Sequence, residues 1–505
     1  MLILTIVVTA LASSVTAGGQ NIIDLDLDTA VDIAMGNSYR IRQLEMGVDR
    51  SRYWLQARQA SLKSSVYMNL RSPEIKATSE YKWNSDLRLD EIVREDTRLF
   101  QMDLAVRQPL IFMGYPTNGY FSLNNKTYQY LQKNEGQEKD LKYYNRLFLK
   151  FEQPFFQPNS LKNNIEDAEL DLRRTELNYV TDRVNLADDI ADDFYDLFEM
   201  VYRNNIYKSQ IALYSDVADI TGHIVAQDSS RSIESIQIRV EMANTRERLL
   251  RNQSNIRLRS ARLKQRLRLN EADSLHIDSI IEITPIEVDA QKAVEYGLTL
   301  RPRMRILEIN KRMEELDLDN AQGWNSFRVN LEMTYGLERQ NKEYEELIDD
   351  EYDNSYSVSL NAYVPIWDWG QHKAQLAAEE IQVKRSDMYI EEAESQIESE
   401  IMNSISNLEE YQTRAMNMST NLEMAREISR HSLEQYQSGN ISLQDLLQVV
   451  ESQRETEENF LDAFIGYRRS ILRLMRNTYY DYENGVSLLE KYGGDGVERR
   501  VDSEG

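Results

Sequence analysis

The chain has 505 residues, no cysteine and a formal net charge of −25. The excess of acidic residues argues against nucleic-acid binding, which needs a clustered cationic surface. The lack of cysteine excludes disulfides, thiolate metal sites and cysteine nucleophiles. Only eight prolines and 19 glycines occur, which predicts long uninterrupted elements rather than many short strands and turns.

The first 17 residues are uncharged and largely apolar. Val15 and Ala17 place small side chains where signal peptidase cuts, so residues 1–17 are predicted to be a signal peptide and the mature chain to begin near Gly18. A buried N-terminal strand is the alternative for this segment. After it, no apolar run reaches the ~18 to 20 residues of a membrane-spanning helix. An exported chain of this kind would be periplasmic, secreted or a β protein of the outer membrane.

The mature chain contains two copies of one unit. Residues 30–32 (AVD) recur as 293–295 (AVE), an offset of 263 (293 − 30), whereas the motif around Pro154 (QPFF) recurs around Pro365 (VPIW), an offset of 211 (365 − 154). The first copy therefore holds about 52 extra residues (263 − 211), which fall within 72–145. Such a duplication predicts two similar supersecondary units that pack against each other.

The repeats give the predicted domain organisation. The first repeat covers 18–286 and comprises a helix, strands with the insertion of about 52 residues, and a long helical hairpin. The second covers 287–485, with a helix, two strands and a long helical hairpin, and 486–505 is predicted to be a C-terminal tail.

Long helices dominate both copies. The segment from Gly370 to Tyr436 has neither proline nor internal glycine, and its apolar residues recur at the heptad spacing that is typical of coiled coils. The first copy has matching helices over 161–222 and 232–269, with Asp193 where an apolar residue is expected. One row of the heptad pattern comprises Ile401, Leu408, Ala415 and Leu422.

Strands are predicted wherever apolar and polar residues alternate. The alternating segments are 356–364 and 328–335 in the second copy and 65–70, 100–107 and 147–152 in the first. Strands of this kind suit a barrel with lipid outside and water inside, although a soluble, half-buried sheet gives the same alternation. The export signal and the tryptophans at strand ends favour the membrane; these are Trp324, Trp367 and Trp369.

Two motifs, together with the duplicated order of elements, suggest a family. They are PIWDWG from Pro365 to Gly370 and the YQSG tip from Tyr436 to Gly439, which Asp445-Leu446-Leu447 follows. Over residues 25–485 the chain resembles the TolC-type outer membrane efflux protein family. The resemblance implies a fold that is mainly α with membrane β: long antiparallel coiled-coil helices, plus four strands per chain that contribute to a trimeric twelve-stranded outer-membrane β-barrel.

The resemblance also implies a function. Such a protein is a passive exit duct in the outer membrane, with its helical tunnel in the periplasm, and it serves a tripartite efflux or type I secretion system. Its partners are two further copies of the chain, a periplasmic adaptor (membrane fusion) protein, an inner-membrane transporter of the RND or ABC type, and outer-membrane lipid. No enzyme motif or cofactor site is evident in the sequence. The alternative is a soluble periplasmic coiled-coil scaffold.

Site residues follow from the same resemblance. Asp445 is predicted to supply three carboxylates to a ring that narrows the periplasmic gate, although an acid so early in a helix is also favoured by the helix dipole alone. Gln448, Ile441 and Ser235 stand where the family pattern has other residues, so we expect fewer gate charges and a different latch. The predicted adaptor-contact tips comprise Ser438, Gly439, Asn440, Asp228 and Ser229.

The insertion carries a second proline motif around Pro109 (QPLIF). Either this motif or the one around Pro154 could mark the transition from strand to helix. The insertion is expected to form either an enlarged extracellular loop or an extra hairpin.

Overall fold

The computed structural model describes residues 22–84, 88–113, 115–134, 140–227, 231–349 and 351–493. The predicted signal peptide and the tip residues Asp228 and Ser229 lie outside these ranges. The described residues form two compact units. Unit 1 comprises the described residues within Met1–Glu45, Asn178–Pro302 and Glu394–Gly505. Unit 2 comprises those within Met46–Leu177 and Arg303–Ala393. Each unit draws on both sequence repeats.

The first repeat contains two short helices, four long strands and two long helices, with a short strand at each end. In chain order these are β1 (Ile22–Asp24), α1 (Leu27–Asn37), α2 (Tyr39–Ala60), β2 (Ser65–Asn84), β3 (Leu89–Phe112), β4 (Tyr115–Asn134), β5 (Asp140–Phe155), α3 (Ser160–Gln227), α4 (Ser232–Leu267) and β6 (Ser274–His276).

The second repeat follows the same order with fewer strands. Its elements are α5 (Ala290–Thr299), α6 (Pro302–Gly323), β7 (Arg328–Asn341), α7 (Tyr344–Asp349), β8 (Asp353–Tyr363), α8 (Gln371–Gln437), α9 (Leu443–Thr478), β9 (Tyr480–Asp481), β10 (Val486–Ser487) and α10 (Leu488–Gly493). The predicted fold class, mainly helical with strands and internally duplicated, is confirmed.

The duplication extends to how the first helix of each repeat begins. The Asp26 side chain accepts a hydrogen bond from the Thr29 N–H at the start of α1. At the start of α5, Asp289 accepts from the N–H groups of Gln291 and Lys292. The two aspartates are 263 positions apart (289 − 26), the offset of the sequence repeat. Both satisfy amide groups that a helix leaves unpaired at its first turn.

The long helices α3 and α8 lie where the sequence predicted them. The heptad row of α8 is buried, with Ile401 and Ala415 fully enclosed. Asp193 of α3, which interrupts the expected seam, forms an ion pair with Arg266 of α4 (Oδ2 to Nε, 3.0 Å). Burial raises the pKa of the Asp193 carboxyl, and the attraction of Arg266 opposes that rise.

The largest sheet is antiparallel and has six strands, in the order β2-β3-β4-β5-β7-β8. This is two strands more than the resemblance implied, because the insertion forms the extra hairpin β3–β4 rather than an enlarged loop. The register of β2 against β3 shifts between Arg71 and Glu74, which marks a β-bulge.

The two faces of this sheet differ in polarity, although β4 places Asn125, Thr127 and Gln129 on the otherwise apolar face. Leucine, valine, methionine and aromatic side chains share one face, whereas serine, asparagine and charged side chains share the other. The apolar face includes Met68, Leu70, Met102, Leu104, Phe121, Leu123, Leu149, Met333, Val358 and Leu360, each at least 39% exposed in the chain.

The two proline motifs have different places. Pro154 lies at the end of β5, six positions before α3 begins, so it marks the transition from strand to helix. Pro109 lies within β3, just before the turn into β4.

The first residues of the predicted C-terminal tail are folded. β10 pairs with β9, and α10 buries its apolar side chains Leu488, Leu489 and Tyr492. The ordered fold therefore continues past residue 485, because this segment carries enough apolar surface to pack.

Candidate functional site at the helical tip

The predicted tip of the second repeat is a tight turn between α8 and α9. Gly439 adopts the left-handed conformation (φ +75°), which costs glycine little. Its N–H donates to the Tyr436 carbonyl (3.0 Å), and the Asn440 N–H donates to the Gln435 carbonyl (2.9 Å). This is the Schellman pattern that ends many helices. The turn leaves Ser438, Gly439 and Asn440 exposed.

Asp445 has a local role at the start of α9. Its carboxylate accepts hydrogen bonds from the Ser442 N–H (3.2 Å) and hydroxyl (2.7 Å), and the Asp445 N–H donates to the Ser442 hydroxyl oxygen (3.2 Å). Together these bonds form a capping box. The bonds from Ser442 lower the pKa of Asp445, so the carboxylate is ionised at neutral pH. Its participation in a gate stays a prediction.

A cluster of buried side chains lies beneath the turn. All four long helices contribute to it, so residues from both repeats form one small core. The buried members are Tyr214, Val217, Ile238, Tyr436, Leu443, Leu446 and Val450. Ile441, which stands where the family pattern has another residue, packs against this core. Apolar burial therefore stabilises the tip.

Tyr436 joins three of the four helices. Its ring is fully buried; its hydroxyl donates to Glu234 of α4 (2.9 Å) and lies 2.8 Å from the Thr221 hydroxyl of α3. Arg231, at the N-cap of α4, pairs with Glu234 (2.8 Å). Burial raises the pKa of the Tyr436 hydroxyl, which stays protonated. Sequence reasoning missed this network, because its members are more than 200 positions apart in the chain.

The other departures from the family pattern are polar. Gln448 is exposed on α9, and Ser235 accepts a hydrogen bond from Arg239 (3.1 Å). Among the residues that the structure describes, no three histidine, aspartate or glutamate side chains gather as metal ligands.

The family model described as outer membrane efflux protein matches residues 328–476, which run from β7 through almost all of α9. Over these residues the chain is similar to the outer membrane efflux protein family. This match and the fold together support an outer-membrane exit duct whose long helices lie in the periplasm. A comparison with curated protein sequences gives no match.

Solved structures of bacterial membrane proteins share the fold of this chain. The outer membrane channel CmeC of Campylobacter jejuni is 13% identical, with a TM-score of 0.65 over 95% of this chain and 89% of that one. The outer membrane protein VceC of Vibrio cholerae is 14% identical, with a TM-score of 0.62 over 90% and 95%. A membrane protein of Pseudomonas aeruginosa is 14% identical, with a TM-score of 0.66 over 93% and 94%.

Exposed aromatic side chains flank the six-stranded sheet. Trp367 and Trp369, between β8 and α8, are 73% and 89% exposed and contact each other edge to face. Phe156 and Phe327 pack together where β5 ends and β7 begins. Aromatic residues of this kind concentrate at the boundary between lipid and water. No helix in the described part of the chain has an apolar stretch long enough to cross a bilayer.

Proposed function

We propose that three copies of the efflux protein assemble into one duct, which a periplasmic adaptor connects to an inner-membrane pump of the RND or ABC type. The observation that carries this proposal is the two-faced sheet. A soluble scaffold would have to cover the apolar face, whereas a barrel wall turns it to lipid. On the polar face, Lys150 lies between Glu152 (3.3 Å) and Glu332 (3.2 Å), which suits a water-filled lumen.

The edges of the sheet support assembly from several copies. In the described chain, β2 pairs only with β3 and β8 only with β7. A lone chain in lipid would leave the outer backbone groups of β2 and β8 without hydrogen bonds, at a cost of several kcal/mol per group. Other copies of the chain remove this cost when β8 of one copy pairs with β2 of the next.

The assembly can be tested on the intact protein. We expect extraction from washed membranes to need detergent, and the extracted protein to be a trimer that heat converts into monomers. Light scattering in mild detergent measures the mass. A monodisperse monomer would contradict the assembly, and release by salt alone would contradict insertion in the membrane.

We place the adaptor at the tips of the helical hairpins. Ser438, Gly439 and Asn440 are exposed and have few side-chain atoms, so a partner can approach the backbone of the turn closely. We propose that Asp228 and Ser229, the matching tip residues of the first repeat, contact the adaptor as well; this assignment is based on the sequence alone.

The gate proposal assigns Asp445 to a ring of three carboxylates at the periplasmic entrance. Because like charges at short distance repel and attract multivalent cations, Asp445→Asn should raise single-channel conductance in planar bilayers. It should also reduce block by multivalent cations added on the periplasmic side. The asparagine keeps an oxygen that can accept from Ser442, so the helix cap is preserved.

Two further variants separate charge from capping. Asp445→Ala removes both the charge and the N3 half of the capping box, so it should add a loss of about 0.3 to 1 kcal/mol in helix stability to the change in conductance. Asp387→Asn removes a charge in α8 that pairs with Lys311 (2.7 Å) and should leave conductance and block unchanged. Equal conductance and equal block in Asp445→Asn and wild type would leave Asp445 as a capping residue only.

A further inference from the structure

The inserted β3–β4 hairpin changes the number of strands that each chain can give to a barrel. We propose that it is part of the barrel wall, so that three copies with six strands each close a barrel of eighteen strands. The closing surface is the pair of edges β2 and β8, and its partner is a second copy of the same chain. This inference rests on the proposed trimer.

The hairpin continues the two faces of the sheet. Across β2 and β3, Met68 is paired with Leu104 and Leu70 with Met102, and across β4 and β5, Leu123 is paired with Leu149. A plug inside the lumen or a loop outside the membrane would have no reason to keep apolar side chains on the lipid-facing side. The apolar residues along β3 and at Phe121 and Leu123 of β4 therefore support a place in the wall, whereas Asn125 and Thr127 farther along β4 bond to Asn145 on the same face.

The hairpin is also long enough to cross the membrane. β4 pairs with β5 without interruption from Tyr120–Glu152 to Gln132–Asp140. A transmembrane strand needs about 9 to 11 residues, so this paired stretch exceeds the requirement. β3 pairs with β4 over a similar length.

Polar contacts fasten the turn of the hairpin to the neighbouring strand and helix. Asn118 is buried, donates to the Pro158 carbonyl (2.7 Å) and accepts from the Leu161 N–H in the first turn of α3 (3.1 Å). The Gln153 side chain of β5 donates to the Thr117 carbonyl (2.8 Å). A hairpin that left the sheet would leave these groups without partners, at about 1 to 3 kcal/mol for each buried one.

Close packing at Gly119 also supports the place of the hairpin in the sheet. A Cβ added at Gly119 would lie 2.1 Å from Oε1 of Gln153 and 2.9 Å from Leu110. Only glycine lets β4 approach its neighbours this closely in the present arrangement.

The hairpin adds strands without adding helices. β2 follows α2, β5 precedes α3, β7 follows α6 and β8 precedes α8, whereas β3 and β4 turn back into each other. Gln108 and Gln153 both donate to the carbonyl of the proline that follows (2.9 Å each). The ends of β3 and β5 therefore have the same local structure, as expected if one hairpin was copied beside the other.

The strand number has a geometric consequence for transport. Six is even, so β8 of one copy runs antiparallel to β2 of the next and the wall closes regularly. Barrel diameter grows roughly linearly with strand number, so eighteen strands give a lumen about 1.5 times as wide as twelve. The exit would then admit substrates of about twice the cross-section.

Introduced cysteine pairs test which strands are neighbours in the assembled protein. The chain has no cysteine of its own, so each pair reports one contact. Under oxidation in the detergent-extracted trimer, the pair M68C with L104C and the pair L123C with L149C should each form an intrachain disulfide. The pair M68C with L149C should not, because three strand spacings, roughly 14 Å, separate these positions.

If the hairpin is excluded from the wall, β2 lies beside β5, and the expected pattern of disulfides is reversed. A disulfide between M68C and L149C, without the other two, would overturn the proposal. The strand count of the unmodified trimer by electron cryomicroscopy is the second measurement, with eighteen expected. A trimer with twelve strands overturns this inference alone, whereas a particle that is not a trimer overturns the proposed assembly as well.

Discussion

Replacing Tyr436 with alanine should destabilise the tip of the helical hairpins by about 3 to 5 kcal/mol, the range found for large buried aromatic side chains. The ring is fully buried at the centre of the tip core, and its removal leaves a cavity that the four helices cannot easily fill. The loss should appear as faster hydrogen exchange of backbone amides in residues 430–450. Single-channel recordings of the same variant should show longer open times.

The conservative variant separates packing from hydrogen bonding. Tyr436→Phe keeps the ring but removes the hydroxyl that bonds to Glu234, so we expect a smaller loss of about 1 to 2 kcal/mol. Tyr389→Phe is the control, because Tyr389 of α8 is 44% exposed and its hydroxyl is accessible to water. Unchanged exchange in both Tyr436 variants would contradict the assigned role of this residue.

Arg454→Met should lower the free energy of unfolding by about 2 to 3 kcal/mol. Arg454 is nearly buried, and its guanidinium lies 2.6 Å from both Glu451 and Glu458. Breaking a fully buried ion pair costs about 3 to 5 kcal/mol; the lower value is expected here because water reaches Glu451, whose side chain is 40% exposed. The measurement is urea unfolding in detergent at pH 7, followed by the helical circular dichroism signal.

The same variant should change the pH dependence of stability. The hydrogen bond from Arg454 lowers the pKa of Glu451 in the folded chain. A carboxylate with a depressed folded pKa contributes stability that is present above its unfolded pKa, about 4.3. That stability is lost as the pH falls through the folded value. Wild type should therefore lose this contribution on acidification below about pH 4.3, and Arg454→Met should not.

A surface pair provides the matched control. Arg251 and Glu247 of α4 are also one helical turn apart and in contact (2.7 Å), but both side chains are mostly exposed. Arg251→Met should cost less than about 0.5 kcal/mol. Equal losses in the two variants would mean that the Arg454 interactions contribute no more than a surface pair.

The helices were predictable because their signals are local. The segment that forms α8 contains no residue that breaks a helix, and its apolar spacing identifies the buried row that includes Ile401 and Leu408. Most strands were predictable from their alternation. β4 was not, because Asn125, Thr127 and Gln129 occupy the face that is apolar in the other strands. Apolar and polar residues therefore do not alternate along this part of β4.

The site was predictable only in part. The turn at Gly439 and the helix start at Asp445 follow from glycine chemistry and from the capping pattern S-x-x-D, which are properties of a few consecutive residues. The contact of Tyr436 with Thr221 and Glu234 joins three helices that are distant in the chain, and no local pattern encodes it. Likewise, the sequence located the insertion but left open whether it forms a loop or a hairpin.

The bulge between Arg71 and Glu74 gives the proposed duct an uneven outer rim. β2 has 20 residues and β8 only 11, so β8 of a neighbouring copy can cover only part of the β2 edge. Past Glu95, where β3 no longer pairs with β4, β2 and β3 continue as a two-stranded ribbon that ends at the pair Asn84–Leu89. In the assembled duct, three such ribbons would stand above the lipid on the cell exterior. They would be the first part of the protein that an antibody, a phage or an added protease meets.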